Sequence, residues 1–300
     1  MKPALLNSLK PYNIIIMNKL FLLVLLFLCA CRHPAEKVSY PTRDYLVVGK
    51  MMDTIKPPYI VDASAGKKHV VLIGCDHNRD PKHPQFALIE QYFKKLKPQI
   101  AFNEGGQLAD TSISSFRDGI IKHGESGALK YLSDRSHIKM MDGDMADSAE
   151  FGAMLKKYPK DKLFLYYVME RMVIPYVNGA YGKIPFEAFY TKSVKPWFVE
   201  PGFPLNFQEQ RYGYFTNLYR KYVGTDFKPV ITNDIERFDY LNSNCEFCAI
   251  GRASKMVRDS TLLSKIDKAL NTNDRIMITF GQGHALAIEP ALSQIVAKHH

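Results

Sequence analysis

From His69 onward the apolar residues recur in two rhythms, and their alternation lays out a fold. Residues 69–73 (His-Val-Val-Leu-Ile) are a nearly continuous apolar run closed by Gly74, as expected of a strand buried on both faces. Phe86, Ile89, Phe93 and Leu96 then repeat at helical spacing until Pro98. Residues 99–103 read as the next strand, ended by Glu104-Gly105-Gly106. This is a β-α-β unit, which predicts parallel strands joined by a right-handed crossover. A helix near 113–132 and a strand near 137–141 follow, the strand running into Asp142-Gly143-Asp144. Residues 147–178 read as mostly helical, with Pro175 kinking or ending the last segment. A helix at about 259–270, a strand at 275–280 and a helix to about Lys298 close the chain. The expectation is an α/β fold, a mainly parallel central sheet flanked by helices.

Two stretches depart from this rhythm. Residues 178–240 are rich in Tyr, Phe, Gly and Pro with weak periodicity and contain Trp197, the single tryptophan. They read as a largely helical insertion or cap, whose rings either line an apolar pocket or form ordinary core. At the front, Met17-Asn18-Lys19 precedes an apolar run at 20–28 and then Leu28-Cys29-Ala30-Cys31. A short positive region, a short apolar stretch and a small residue before cysteine describe a secretory signal. The last four residues resemble a bacterial lipobox with Cys31 as the lipidated residue; a plain membrane anchor is the other reading of the same stretch. Residues 1–31 are therefore read as signal peptide, 32–66 as a tether with a first strand at 45–49, and 67–300 as one domain.

Composition changes this picture little. Hydrophobic residues make up 46% and charged residues 23%, ordinary for a globular chain. The formal charge is +10; without the three lysines among the first thirty residues, 37 basic residues face 30 acidic ones, a net +7. The excess is scattered as Lys-Lys pairs and carries no nucleic-acid signature, so it reads as solvated surface that suits an anionic membrane. After Cys31 only Cys75, Cys245 and Cys248 remain. Cys245-Glu-Phe-Cys248 lacks a second metal half-site, and in an exported protein it reads as a local disulfide.

Polar groups gather where the strands end. His77 follows the first core strand, Glu104 the second, Asp142 and Asp144 the third, and His284 the last. The carboxyl ends of strands in an open α/β sheet line the ligand crevice, so residues far apart in sequence can converge there. Two imidazoles and a carboxylate either bind a divalent metal with an open position for water or act directly as base and orienting groups. Asp76 either serves the site or caps the turn. His69, His83, His123, His137, His299 and His300 lack this placement and read as surface or structural residues.

Four motifs in order carry a resemblance. Gly74-Cys75-Asp76-His77 resembles the GxxH that opens the Tiki/TraB/GumN superfamily, and Asn103-Glu104 matches the glutamate at the end of its next strand. Arg258-Asp259 resembles the family's Arg-Asn or Arg-Asp pair, and Gly281-Gln282-Gly283-His284 its closing GxxH. The glycine usual after that motif is missing from Ala285-Leu286-Ala287-Ile288, and the middle third of the chain carries no resemblance. The resemblance implies one of three activities. Tiki-like members are proteases in which His77, Glu104 and His284 would serve a divalent ion such as Mn, Co or Zn. The related erythromycin esterases open a lactone with histidine as base and no metal. ChaN-like relatives are lipoproteins that bind haem, and His and Tyr side chains of this chain would be the axial ligands in that reading.

The expected chemistry is therefore hydrolysis of an amide or ester, in a small molecule or peptide, by an activated water at a membrane-tethered site. In the metal version His77, Glu104 and His284 hold the ion or its water. In the metal-free version His77 deprotonates water and Glu104 fixes its tautomer. Arg258 either stabilises oxyanion charge or is a structural ion pair with Glu104 or Asp142.

Overall fold

The structure is a computed structural model and describes residues 40–108 and 113–300. Cys31, the lipobox and residues 32–39 of the tether lie outside the described residues.

The first element among the described residues is a helix, α1 (Tyr45–Thr54), where the sequence suggested a strand at 45–49. Tyr-Leu-Val-Val suits a strand by propensity. Asp44 decides otherwise, because its side chain accepts from the Leu46 N–H and caps the helix start. Tyr45, Val48 and Gly49 then fall on one buried face. The first strand is instead β1 (Tyr59–Ala65), joined to β2 (Lys68–Cys75) through a tight turn at Gly66, whose φ of +55° suits glycine. After β2 come α2 (Pro84–Leu96), β3 (Ile100–Asn103), α3 (Phe116–Arg135) and β4 (Lys139–Asp142). The chain ends with α9 (Glu246–Leu270), β5 (Arg275–Gly281) and α10 (Gln282–Lys298).

The five strands order as β1-β2-β5-β3-β4, with β1 antiparallel to β2 and every other pair parallel. β2 and β3 are parallel but not neighbours, because β5 lies between them. The strands alternate their side chains between two helical layers. Val71, Ile73, Ala101 and Met277 pack beneath α2 and α3. Val70, Leu72, Phe102, Ile276 and Ile278 pack against α1, α9 and α10. Burial on both faces explains why β2 and β5 read as unbroken apolar runs.

Between β4 and α9 the chain builds a helical lobe: α4 (Asp147–Leu155), α5 (Lys160–Val168), α6 (Ile174–Val177), α7 (Phe186–Val194) and α8 (Tyr212–Val223). Pro175 sits in the first turn of α6, after a π-helical turn at Met169–Val173. Phe151, Phe164, Tyr167, Phe198, Phe203 and Phe215 are buried together in this lobe, so the aromatic stretch shares a second core with the helices before it. The helix expected at 259–270 begins thirteen residues earlier. Its front half buries Phe247 and Ile250 in the lobe and its rear half buries Leu262 and Ile266 under the sheet. Between these ends Ser254, Lys255 and Asp259 are buried polar residues, which is why no single apolar stripe betrayed the whole helix. Cys245 and Cys248 are joined in a disulfide at its start.

Candidate functional site

The carboxyl ends of β2, β3, β4 and β5 lie side by side, and the residues just beyond them meet there. His77 stands two residues past β2 on a loop whose backbone is held by Gln85. Its amide nitrogen donates to the Asp76 carbonyl and its amide oxygen accepts from the Asp76 N–H. The Asp76 side chain itself is exposed. The His77 Nδ1–H donates to Glu125 Oε1 at 2.6 Å. That hydrogen bond to the buried Glu125 raises the imidazole pKa from its ordinary 6.5 to about 9, against the opposing effect of burial. Glu125 reaches the loop because α3 breaks at Gly124, whose φ is +57°. A Cβ there would stand 3.0 Å from the Asn78 carbonyl oxygen, so only glycine allows the helix this close.

Glu104 follows β3 directly. Its Oε2 accepts from the Gly281 N–H at 2.6 Å and its Oε1 from Arg258 Nη2 at 2.6 Å. Burial alone would push its carboxyl up, but His284 whenever it is protonated, Arg258 and His77 outweigh this and hold it well below the usual carboxylate range. Gly281 is needed here for room. A Cβ at that position would come within 3.2 Å of both Glu104 Oε2 and His77 Nε2.

His284 lies in the first turn of α10 and is buried. Its Nδ1 meets Asp259 Oδ1 at 2.5 Å and the Tyr45 hydroxyl at 3.0 Å, and its Nε2 faces Glu104 Oε1 at 3.7 Å. Arg258 grips Asp144 through Nε and Nη2, at 2.7 and 2.5 Å, as well as Glu104. Asp142, expected as a partner of Arg258, instead accepts from the Asp144 N–H. Behind Arg258 lies a polar cavity of about 190 Å³, bordered by Asp144, Glu150, Glu170 and Arg171.

His77, Glu104, Arg258 and His284 are thus brought together at the carboxyl end of the sheet. One role differs from expectation: Glu125, not Glu104, holds His77. Glu125 and Tyr45 were not singled out in the sequence. The signal for Glu125 was Gly124-Glu125-Ser126-Gly127, a glycine pair inside a helical stretch, which commonly marks a packing or functional need. Tyr45 gave no such signal. Of the other histidines, His69 pairs with Asp62 and His299 with Asp267, both as structural contacts.

The donor types suit a divalent ion: both imidazoles have Nδ1 fixed by a carboxylate and Nε2 turned inward, the usual outer-shell pattern of a metal-bound histidine. Their arrangement does not complete a cradle. Among the described residues no three His, Cys, Asp or Glu groups are gathered as ligands, and both Glu104 oxygens are engaged by Arg258 and Gly281.

Comparison with protein-family models, with curated proteins and with solved structures gives no match. Among the described residues no helix is long and apolar enough to cross a membrane.

Proposed function

We propose that this protein is a hydrolase that cleaves an amide or ester with an activated water at the carboxyl end of the sheet, just beyond β2, β3 and β5. One observation carries the reading. Two imidazoles, each backed by a buried carboxylate, flank one largely buried glutamate although they lie far apart in sequence: His284 Nε2 faces Glu104 Oε1 at 3.7 Å, and His77 Nε2 and Glu104 Oε2 border the same Gly281. Buried charges are costly unless paired, and structural pairing alone does not require two carboxylate-backed histidines beside a third carboxylate.

Their roles follow from their environments. His77, with a pKa of about 9, carries a proton at neutral pH and is suited to protonate a leaving group. His284 is the base: its Nε2 takes the proton of the attacking water, and Asp259 and Glu104 stabilise the imidazolium that results. The water oxygen bonds to the carbonyl carbon, the carbonyl–heteroatom bond breaks, and the leaving group departs with the His77 proton. This reverses the expectation that His77 is the base. Arg258 is committed to Glu104 and Asp144, so it fixes the glutamate and is not assigned an oxyanion role. We further propose that Cys31 carries a lipid that tethers the domain to a bacterial membrane.

The test is turnover of chromogenic esters and a peptide library by the full chain, with and without chelator. His284→Ala and Glu104→Ala should each lower it by about 10²–10⁴-fold with thermal unfolding still cooperative. Undiminished hydrolysis in both folded variants sinks the reading. Haem uptake without turnover would replace it with a binding role.

A further inference from the structure

We propose that Tyr45, on the N-terminal helix α1, is a positioning residue of this site: with Asp259 it fixes which nitrogen of His284 carries a proton and which faces Glu104. This rests on the reading of His284 as a working imidazole.

The supply of hydrogen-bond donors and acceptors around His284 decides its tautomer. Tyr45 is buried, its ring edge-on to His284 at 6.1 Å and to Tyr240 at 5.6 Å. Its hydroxyl donates to Asp259 Oδ2 at 2.8 Å. A phenol has one hydrogen, so its oxygen can only accept from His284 Nδ1, 3.0 Å away. Asp259 Oδ1, at 2.5 Å from the same nitrogen, is also an acceptor. Both atoms facing Nδ1 accept, so Nδ1 holds the hydrogen and Nε2 is left towards Glu104. Burial first, and the Asp259 charge next, push the phenol pKa well above its ordinary value, so the hydroxyl keeps its hydrogen.

The reach of Tyr45 depends on how closely α1 docks. A Cβ on Gly49, one turn along, would lie 2.4 Å from the Leu241 carbonyl oxygen, which leaves glycine as the residue that permits the approach. The N-terminal helix thus supplies a part of the site that none of the four motifs contains. A matched contact serves as control. The Tyr40 hydroxyl donates to Asp267 Oδ2, also at 2.8 Å, but Asp267 serves His299 and not His284.

The experiment is long-range ¹H–¹⁵N spectroscopy of the full chain labelled in histidine, with the His284 signal assigned by His284→Gln. The wild type should show a protonated Nδ1 with a downfield, slowly exchanging hydrogen, and a cross-peak from it to the Tyr45 hydroxyl proton. Tyr45→Phe keeps the ring; it should shift this signal and speed its exchange about tenfold, the effect of one lost hydrogen bond. Tyr40→Phe should leave it in place. A proton on Nε2 in the wild type, no cross-peak to Tyr45, or an unchanged His284 signal in Tyr45→Phe would each overturn the inference. The readout needs no turnover. An inert protein with this proton placement leaves the inference standing, and a hydrolase whose His284 ignores Tyr45 refutes it alone.

Discussion

The two halves of the site are built on opposite plans. The His284 half is interior: the imidazole, Asp259 and Tyr45 are all buried, and three separate elements hold them. The His77 half is a loop at the surface, its side chain two-thirds exposed and tied to the protein through one bond to Glu125. In the first half the groups that position the proton also help hold the fold. In the second, water competes for the same interaction, and the carboxylate tunes the imidazole with little consequence for stability. A group meant to take a proton reliably gains from rigidity, and one meant to give a proton to a departing group gains from access.

This contrast can be broken by substitution. The largest effect is expected from Asp259→Ala, which strands His284 and the Tyr45 hydroxyl in the interior. It should cost about 3 kcal/mol or more in urea unfolding, where removing one partner of a buried pair leaves the other unmatched. A loss below about 1 kcal/mol would mean that the two halves are built alike. Gly281→Ala acts between them. Its Cβ crowds both Glu104 Oε2 and His77 Nε2 at 3.2 Å, so stability should fall by about 1 kcal/mol while any turnover falls by about 10²-fold. Kinetics beside a denaturation curve would show the split.

Glu125→Gln should change stability least, by under about 1 kcal/mol, and sharpen the comparison through pH. The folded-state pKa of His77 is raised, so its contribution is fully present below about 6.5 and lost as pH rises through about 9. In the variant the His77 titration, followed by NMR, should move down towards 6.5, and the decline of stability between these pH values should flatten. A His77 that still titrates near 9 would show that Glu125 is not what raises it.

What could be read beforehand follows the same division. The ends of β2, β3 and β5 were legible because unbroken apolar runs stop at glycine, and a polar residue after such a stop in a parallel sheet has few places to be. His77, Glu104 and His284 sit at these stops. Glu125 lies in the middle of a helix and reaches His77 only because Gly124 breaks it, a conformation that pattern-reading does not foresee. Tyr45 was misread with its whole element, since Tyr-Leu-Val-Val satisfies strand propensity and helical burial equally, and the Asp44 cap together with docking of the buried face chose between them.

The sequence by itself determined the layered α/β arrangement, because local periodicity and turn chemistry act within a few residues of one another. Tertiary structure alone decided that β5 enters between β2 and β3. It also decided that the aromatic stretch packs with α4, α5 and the front of α9 into a second core, and that each histidine has its own carboxylate. These depend on contacts between residues tens to hundreds of positions apart, whose energies exist only once the chain has packed.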